Sequence, residues 1–285
     1  MPTWLPWPDS TCDGVRATQE GELLRLTLAT PQTRNAQTPA LWRRLAQVGE
    51  HLPADIRVVL IDAEGPSFSA GLDRRMFTAT GVPGEHSVRD LVTAPATTAD
   101  AWIAEFQSAF TWQQHCAAIT IAAVQGHAIG AGFQLALACD LIIAADDAQF
   151  AMREVPLGLV PDLGGSQRLV EFVGSQRALL SCATGATIDA DTAQQWGLAS
   201  RCLPGLDLER TAQALIEQLL STPANSLRAI KELMSRATSR SREDQLATER
   251  SLQLGLLRAL AAAFVTEKTT PGSERNAPNS TPGAH

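Results

Sequence analysis

Two kinds of hydrophobic spacing divide the first part of the chain. Residues 15–18 and 22–28 carry short apolar runs on either side of a glutamate–glycine pair, which predicts two strands joined by a turn. Thr38 followed by proline is typical of a helix start, and apolar residues at helical spacing predict a helix over residues 39–51. Residues 57–62 form a mostly apolar run that ends before Glu-Gly-Pro, and they predict a buried strand.

The middle of the chain continues this alternation, which favours an α/β fold over an all-β fold. We expect a helix over residues 100–116, a strand over 120–124, a glycine-rich turn with a helix over 126–139, and a strand over 141–145. Residues 77–98, in contrast, are rich in Gly, Pro, Thr and Ala and show little periodicity. They predict a mobile surface segment at a substrate entrance.

Helical spacing dominates the chain from residue 175 onward. The predicted helices span residues 175–183, 191–196, 208–221, 225–236 and 242–263. The composition changes near residue 205, and the last residues are rich in Pro, Gly, Ser, Asn and Thr, as in disordered segments. The predicted organisation is an N-terminal extension (1–13), a core domain (14–204), a helical C-terminal subdomain (205–268) and a disordered tail (269–285).

Composition and charge exclude several classes of protein. The chain has 285 residues, of which 45% are hydrophobic and 19% charged, as in ordinary globular proteins. A net charge of −7 with well-mixed signs argues against a nucleic-acid-binding protein, which usually has a basic face. The first residues lack a signal-peptide pattern, and no apolar run approaches the roughly 20 residues that span a bilayer. We therefore expect a cytoplasmic protein that binds neither nucleic acid nor membranes.

Cysteine and histidine spacing gives no indication of a metal site. The five cysteines are scattered without C-x-x-C spacing, and the five histidines show no H-E-x-x-H pattern. An odd number of scattered cysteines also does not indicate a disulfide framework. We expect no metal ion and no nucleophilic cysteine.

A glycine-rich turn at residues 126–132 follows a predicted strand and opens a predicted helix. The spacing G-x-x-x-G-x-G is compatible with the dinucleotide-binding turn of short-chain dehydrogenases. That turn normally lies in the first βα unit, whereas this one lies near the middle of the chain. Those dehydrogenases also use a catalytic tyrosine, and the chain contains no tyrosine. A dinucleotide-binding function is therefore rejected.

A second glycine-containing turn, at residues 65–69, superficially resembles the nucleophile elbow of serine hydrolases. Its last position is Ser69, where the elbow requires glycine, and the strand-turn-helix context is only loosely met. We give this interpretation little weight.

Both turns can serve another chemical purpose. A helix N-terminus presents unpaired backbone N–H groups and the positive end of a dipole, and small residues let a substrate approach them closely. Two such N–H groups aimed at one carbonyl oxygen form an oxyanion hole. Residues 68–73 and 126–132 are two turns of this kind, although either turn alone is better explained as a simple tight turn.

Together, the two turns resemble the crotonase (enoyl-CoA hydratase/isomerase) superfamily. Residues 68–73 match the pattern F-[SC]-A-G-x-D, and residues 123–132 match A-V-x-G-x-A-x-G-G-G with Ala131 in place of the usual glycine. Further motifs occur in family order at residues 139–144, 148–150, 154–158 and 164–169. The resemblance covers about residues 14–270 and is too extensive to arise by chance.

The resemblance implies an α/β fold with a crotonase-like core of repeated ββα turns. It also implies a helical C-terminal trimerisation region, homotrimers or hexamers, and an acyl-CoA substrate with no separate cofactor. By the same resemblance, the backbone N–H groups of Ala70 and Ala131 form the oxyanion hole. The other substrate-binding candidates that it implies are Ser69, Asp73, Met76, His127, Gln134, Lys231 and Lys268. The two lysines are its candidates for the CoA phosphates.

Two glutamates add water to an enoyl thioester in family hydratases, and only one of them is present here. Glu154 occupies the first position, and the second is Gln134, whose amide neither takes up nor releases a proton at neutral pH. This difference argues against simple hydratase activity. It leaves Glu154 as the catalytic base of a double-bond isomerisation.

Asp162 lies eight positions after Glu154, at the separation found in the dienoyl-CoA isomerase subgroup. That subgroup also has an aspartate where Gln134 stands, so the resemblance to it is partial. Asp162 is equally compatible with a helix N-cap, a position that aspartate favours. We therefore predict an isomerase with Glu154, or Glu154 and Asp162, as catalytic residues. A hydratase and a non-catalytic acyl-CoA-binding protein are the alternatives.

Overall fold

The computed structural model describes residues 12–269, with side chains for residues 13–262. The chain divides into two compact units, residues 1–238 and 239–285, and the second contains one long helix. Nearly all of the predicted N-terminal extension and disordered tail, and the side chain of Lys268, lie outside the described residues.

The described residues form nine strands and ten α-helices. The strands are β1 (Val15–Glu20), β2 (Leu23–Leu28), β3 (Val58–Ala63), β4 (Ile119–Val124), β5 (His127–Ile129), β6 (Leu141–Ala145), β7 (Gln149–Ala151), β8 (Ile188–Asp189) and β9 (Arg201–Leu203). The helices are α1 (Pro39–His51), α2 (Val88–Thr93), α3 (Ala96–His115), α4 (Ala131–Ala138), α5 (Gly165–Val173), α6 (Ser175–Thr184), α7 (Ala190–Trp196), α8 (Leu208–Ser221), α9 (Ala224–Ser235) and α10 (Arg242–Thr269). This confirms the predicted α/β class.

The main sheet has six strands in the order β1-β2-β3-β4-β6-β9. β1 and β2 form an antiparallel hairpin, and every later pair in this sheet is parallel. Parallel pairs need a crossover connection, and α1 and α3 provide the first two of these. Thr38 caps α1 by accepting a hydrogen bond from the Leu41 amide, and Pro39 is the first helical residue, as predicted.

Side chains along β3 alternate between the two faces of the sheet. Val59 and Ile61 belong to the apolar cluster that contains α1 and α3, whereas Val58 and Leu60 belong to a second cluster with α8 and α9. Burying both faces explains why the strand reads as a continuous apolar run. α8 and α9 cover the second face, and the first compact unit extends to residue 238, past the boundary that the sequence predicts at residue 205.

A second sheet, with the order β5-β7-β8, lies after the main strands in the chain. The helix predicted over residues 126–139 is shorter than expected, because residues 127–129 pair with β7 as a parallel strand. α4 begins only at Ala131. This extra strand positions one of the two glycine-rich turns.

The segment 77–98 contains more regular structure than its sequence predicted. α2 begins with a capping box in which Ser87 and Asp90 bond to each other's backbone amides. Glu85 forms a 2.5 Å ion pair with Arg43, and the ring of His86 stacks on Trp102 at 3.8 Å between centroids. The segment therefore contains a capped helix that its sequence did not predict, while its mobility and its place at a substrate entrance stay predictions.

Among the described helices, none combines the length and the apolar character required to cross a membrane.

Candidate active site

The first glycine-containing turn is paired with β5. The amides of Phe68 and Ser69 donate to the carbonyls of Gln125 and His127, both at 2.8 Å. The amide of Ile129 donates back to Ser69 O at 3.0 Å. Two segments that are far apart in the sequence are therefore joined in a fixed register.

Glycines allow the two turns to approach each other closely. If Gly71 carried a side chain, its Cβ atom would lie 2.4 Å from Ile129 O and 3.6 Å from the amide nitrogen of Ala131. A Cβ built on Gly132 would lie 2.6 Å from Ser69 O. Because real side chains do not tolerate such distances, these positions require glycine. The first turn thus lies beside the Ala131 amide.

The hydroxyl of Ser69 is buried and fully engaged within the protein. It donates to Asn35 O at 2.7 Å and accepts from Gln37 Nε2 at 3.1 Å and from the Gly71 amide at 3.2 Å. Gln37 is in turn held by the indole N–H of Trp42 at 2.8 Å. Ser69 therefore shapes the turn from inside, and its hydroxyl is already engaged within the protein.

The amide of Ala70 is also engaged, because it donates to Arg34 O at 2.8 Å. Arg34 reaches that position through a left-handed backbone with φ of 53°. A thioester oxygen would have to displace this carbonyl to bind at Ala70. The structure thus does not support the expected oxyanion role of Ala70.

Leu72 presents the available amide of this turn. Gln37 N donates to Gly71 O at 2.7 Å, and Asp73 N donates to Gln37 O at 2.8 Å. These two bonds flank Leu72, so its own N–H points away from Gln37. Within the described part of the chain, the amides of Leu72 and Ala131 donate to no protein acceptor. The φ of +87° at Gly71 interrupts the extended conformation before Leu72, so the sequence alone does not show which amide of the turn is available.

Glu154 lies beside the second turn. A Cβ built on Gly130, the residue before Ala131, would lie 3.3 Å from Glu154 Oε1. Burial of the carboxyl raises the pKa of Glu154, and the charge of Asp162 raises it further. A hydrogen bond from Gln134 opposes this shift and lowers the pKa. Oε2 is buried and has no hydrogen-bond partner among the described residues.

Gln134 projects from α4 and is buried. Its Nε2 donates to Glu154 Oε1 at 2.9 Å. Its Oε1 accepts from the amides of Leu163 and Gly165, at 2.9 and 3.3 Å, where α5 begins. The structure thus brings Glu154 and Gln134 together as expected, and it occupies both ends of the amide.

Asp162 lies close enough to Glu154 for its charge to raise the pKa of that group. The Asp162 residue is exposed, although protein atoms around the carboxyl raise its own pKa. It is not the N-cap of α5, because Gly164 occupies that position. The structure thus corrects the N-cap interpretation.

Asp73, Met76 and His127 surround the first turn in different ways. Met76 is 2% exposed and is part of the core. Asp73 is held by Arg75 at 2.7 Å, and hydrogen bonds from Arg75 lower the pKa of this carboxyl. His127 is exposed, with Nδ1 at 3.3 Å from Ser67 Oγ.

A cavity of about 210 Å³ opens beside Asp73 and Arg75, and its wall also includes Asp13, Gly14, Thr30, Gln32, Thr33, Ala36 and Thr38.

Lys231 lies away from this cavity and is 6% exposed. Its ammonium pairs with Asp140 at 2.8 Å and donates to the carbonyls of Gln113 and Ala118, at 2.6 and 2.5 Å. This ammonium is committed to the interior, so the structure corrects the expectation that Lys231 binds CoA phosphates. Sequence reasoning did not single out Arg75, whose side chain is 60% exposed at the cavity.

Comparison with known proteins connects this geometry to one family. A family model described as enoyl-CoA hydratase/isomerase matches residues 18–261. The probable enoyl-CoA hydratase echA8 of Mycobacterium bovis is 34% identical over 264 residues, which cover 90% of this chain and 93% of that protein. The mitochondrial Delta(3,5)-Delta(2,4)-dienoyl-CoA isomerase of Homo sapiens is 29% identical over 281 residues, which cover 94% and 82% of the two chains.

A similar solved structure contains a relevant ligand. It is a presumed enoyl-CoA hydratase from Thermobifida fusca YX, crystallised in complex with acetoacetyl-CoA. Its TM-score is 0.82 at 45% sequence identity, and the match covers 87% of this chain and 96% of that one.

Proposed function

The chain belongs to the enoyl-CoA hydratase/isomerase family, and we propose that it shifts a carbon–carbon double bond in an unsaturated acyl-CoA. The observation that carries this proposal is Glu154 Oε2, a buried carboxylate oxygen without a partner in the described structure, on a side chain that lies beside Gly130, the residue before Ala131. The human relative named a dienoyl-CoA isomerase and the Thermobifida fusca complex with acetoacetyl-CoA support this class of reaction and substrate.

The proposed reaction needs one base and one oxyanion site. The thioester oxygen binds between the N–H groups of Leu72 and Ala131, and Glu154 Oε2 removes a proton from C2 of a 3-enoyl-CoA. The electron pair moves into a dienolate whose charge rests on the thioester oxygen. The protonated carboxyl then returns the proton to C4, which leaves a 2-enoyl-CoA with no atom gained or lost. A general base contributes about 10²–10⁴ in rate, and one oxyanion donor about 10²–10³.

Hydration is the second candidate, because the relatives from Mycobacterium bovis and Escherichia coli are named as hydratases. Adding water requires one group to take a proton from the water and another to supply one to the substrate. Gln134 can supply neither function, and both ends of its amide are engaged. In a hydratase it would only position the water. A non-catalytic acyl-CoA-binding protein is a third possibility, but binding alone does not require a buried carboxylate here.

The cavity beside Asp73 and Arg75 is our proposed site for the polar part of CoA. Arg75 is an exposed guanidinium among the residues of its wall, which also include three threonines. The cavity adjoins the turn that presents the Leu72 amide, so a pantetheine arm could connect the two sites. We propose Arg75 as the phosphate contact in place of Lys231.

We also propose that the chain assembles as a homotrimer or hexamer. α10, considered by itself, exposes Leu246, Leu254, Leu257 and Leu260. Light scattering of the full chain measures the assembly directly, and a monomeric mass would contradict it.

Incubation with a panel of 2-enoyl-, 3-enoyl- and 3,5-dienoyl-CoA esters tests the proposed reaction. We expect products of unchanged mass whose ultraviolet absorbance reports a moved double bond. Glu154→Gln keeps the shape of the site but removes the base, so turnover should fall about 10²–10⁴ while acyl-CoA affinity changes only a few-fold. A product heavier by one water, formed from the 2-enoyl ester alone, would overturn the isomerase proposal in favour of hydration.

A further inference from the structure

The side-chain amide of Gln134 has only one chemically acceptable orientation. Its oxygen faces two N–H donors, those of Leu163 and Gly165. Rotating the amide by half a turn would place its NH2 group against these donors, leave both of them without an acceptor, and set the amide oxygen against the carboxylate of Glu154. The NH2 group must therefore face Glu154. The assignment of the amide atoms follows from the surrounding hydrogen bonds.

Tight packing keeps the Gln134 side chain in this position. The residue is 1% exposed, and a Cβ built on Gly165 would lie 2.7 Å from Gln134 Cγ. The hydrogen bonds to Leu163 and Gly165 connect it to the start of α5, where the N-cap residue, Gly164, has no side chain of its own to accept them. Gln134 thus links the start of α5 to the carboxyl of Glu154.

This orientation makes the two oxygens of Glu154 inequivalent. Oε1 accepts the N–H of Gln134, so a proton on Oε1 would confront another proton donor. A proton taken from the substrate must therefore reside on Oε2, the oxygen without a protein partner in the described chain. One oxygen would then both remove the proton and return it, and the double bond would shift on one face of the substrate.

We infer that Gln134 is a positioning residue: it reserves Glu154 Oε1 as an acceptor and confines the transferred proton to Oε2. The inference rests on the proposed function of Glu154 as the base. It also gives a physical reason for glutamine at this position, because a carboxylate there would repel Glu154 unless it carried a proton.

Gln134→Met is the main test, since methionine has a similar length but neither donor nor acceptor. Loss of the hydrogen bond should raise the pKa of Glu154, so the acid limb of kcat/KM should move upward by about one to two pH units. We expect kcat at pH 7 to fall at least tenfold while KM changes less than threefold.

Gln107→Met is a matched control in the same region. Gln107 Nε2 donates to Asp162 O at 2.7 Å, so this variant also frees a backbone group of the 154–165 segment but does not touch Glu154. Its acid limb should coincide with that of the wild type. Equal shifts in both variants, or an unshifted limb in Gln134→Met, would overturn the inference.

Gln134→Glu is a second test for the case in which the methionine variant folds poorly. Its carboxyl can still accept hydrogen bonds from the amides of Leu163 and Gly165. The introduced glutamate can donate a hydrogen bond to Glu154 only while it is protonated. In this variant kcat/KM should therefore fall above the pH at which the glutamate loses its proton, whereas kcat/KM of the wild type stays constant there. A level profile would overturn the inference. If the wild type proves to hydrate its substrate, the proposed function fails, but the acid limb measured with that reaction still tests Gln134.

Discussion

The carbonyl oxygen of Ile129 lies directly against the backbone of Gly71. A Cβ built on Gly71 would be only 2.4 Å from that oxygen, and the residue has a φ of +87°. This contact holds the turn that presents Leu72 next to the turn that presents Ala131. The spacing of the two proposed oxyanion donors therefore depends on glycine, which has no side chain, at position 71.

Gly71→Ala should separate the two turns. We expect kcat/KM to fall about 10²-fold or more, comparable to the loss of one oxyanion donor, together with a lower melting temperature. Gly84→Ala is the matched control, because Gly84 has a similar φ of +80° with no atom near its built Cβ. It should destabilise by roughly 1 kcal/mol from backbone strain without a change in kcat. Equal kinetic effects in both variants would contradict the proposed geometry.

Titration of Glu154 should appear in both activity and stability. Burial raises the pKa of Glu154 above the ordinary glutamate value of about 4.3, and the base must be ionised. Activity should thus fall as the pH decreases through this raised value. The folded state keeps this proton to a higher pH than the unfolded state does. The free energy of unfolding should therefore decrease as the pH rises from the ordinary glutamate pKa to the raised pKa of Glu154.

Glu154→Gln removes that stability term. Its melting temperature should exceed that of the wild type at pH 7, and the difference should shrink toward pH 4. Thermal melts across this range provide the measurement. A wild-type advantage that grows with pH would reverse the assigned direction.

Asp162→Asn tests whether Asp162 carries a proton in the reaction or takes no part in it. If Asp162 carries a proton, 3,5-dienoyl-CoA isomerisation should fall strongly and 3-enoyl-CoA conversion less. The melting temperature should barely change, because Gly164 is the N-cap of α5. Removing the negative charge should also lower the pKa of Glu154 and move the acid limb downward. Small, equal effects on both substrates would leave Glu154 as the only proton carrier.

Lys231→Met tests the interior role of this lysine. It leaves Asp140 without its cationic partner at a position where the lysine side chain is only 5% exposed. We expect a loss of about 3–5 kcal/mol in unfolding free energy, with acyl-CoA affinity unchanged. Denaturant unfolding and ligand titration measure the two quantities.

Arg75→Met provides the opposite pattern for comparison. Its side chain is exposed at the cavity, so KM for acyl-CoA should rise several-fold while unfolding is unaffected. If Lys231→Met bound acyl-CoA more weakly than Arg75→Met, the proposal would be contradicted and Lys231 would be the phosphate contact.

Local sequence patterns predicted the main elements because neighbouring residues determine them. Thr38 and Pro39 fix the start of α1, and the apolar runs of β3 and β6 reflect strands buried in the sheet. β5 was missed because three residues carry too little periodicity, and its partner strand lies further along the chain. The N-cap residue of α5 is Gly164, and the side chain that accepts the Gly165 amide comes from Gln134, far upstream, so the start of this helix carries no local signal.

The site was only partly predictable for a similar reason. The motifs located both turns and Glu154, but they could not show that Arg34 O occupies the Ala70 amide, since this contact depends on a left-handed backbone far upstream. Lys231 was a candidate for the CoA phosphates through the family resemblance alone. Its burial depends on Asp140, which reaches it only in the folded chain.

The bridge between Ser69 and Ala128 affects the order in which the protein can acquire activity as it folds. α1 and α3 can gain helical structure from local contacts, but this bridge closes a long loop that includes both the 77–98 segment and α3. A nascent chain that ends within α3 carries the first turn without the strand that fixes it. Return of catalytic activity after denaturant dilution should therefore follow this closure, later than the return of helical circular dichroism.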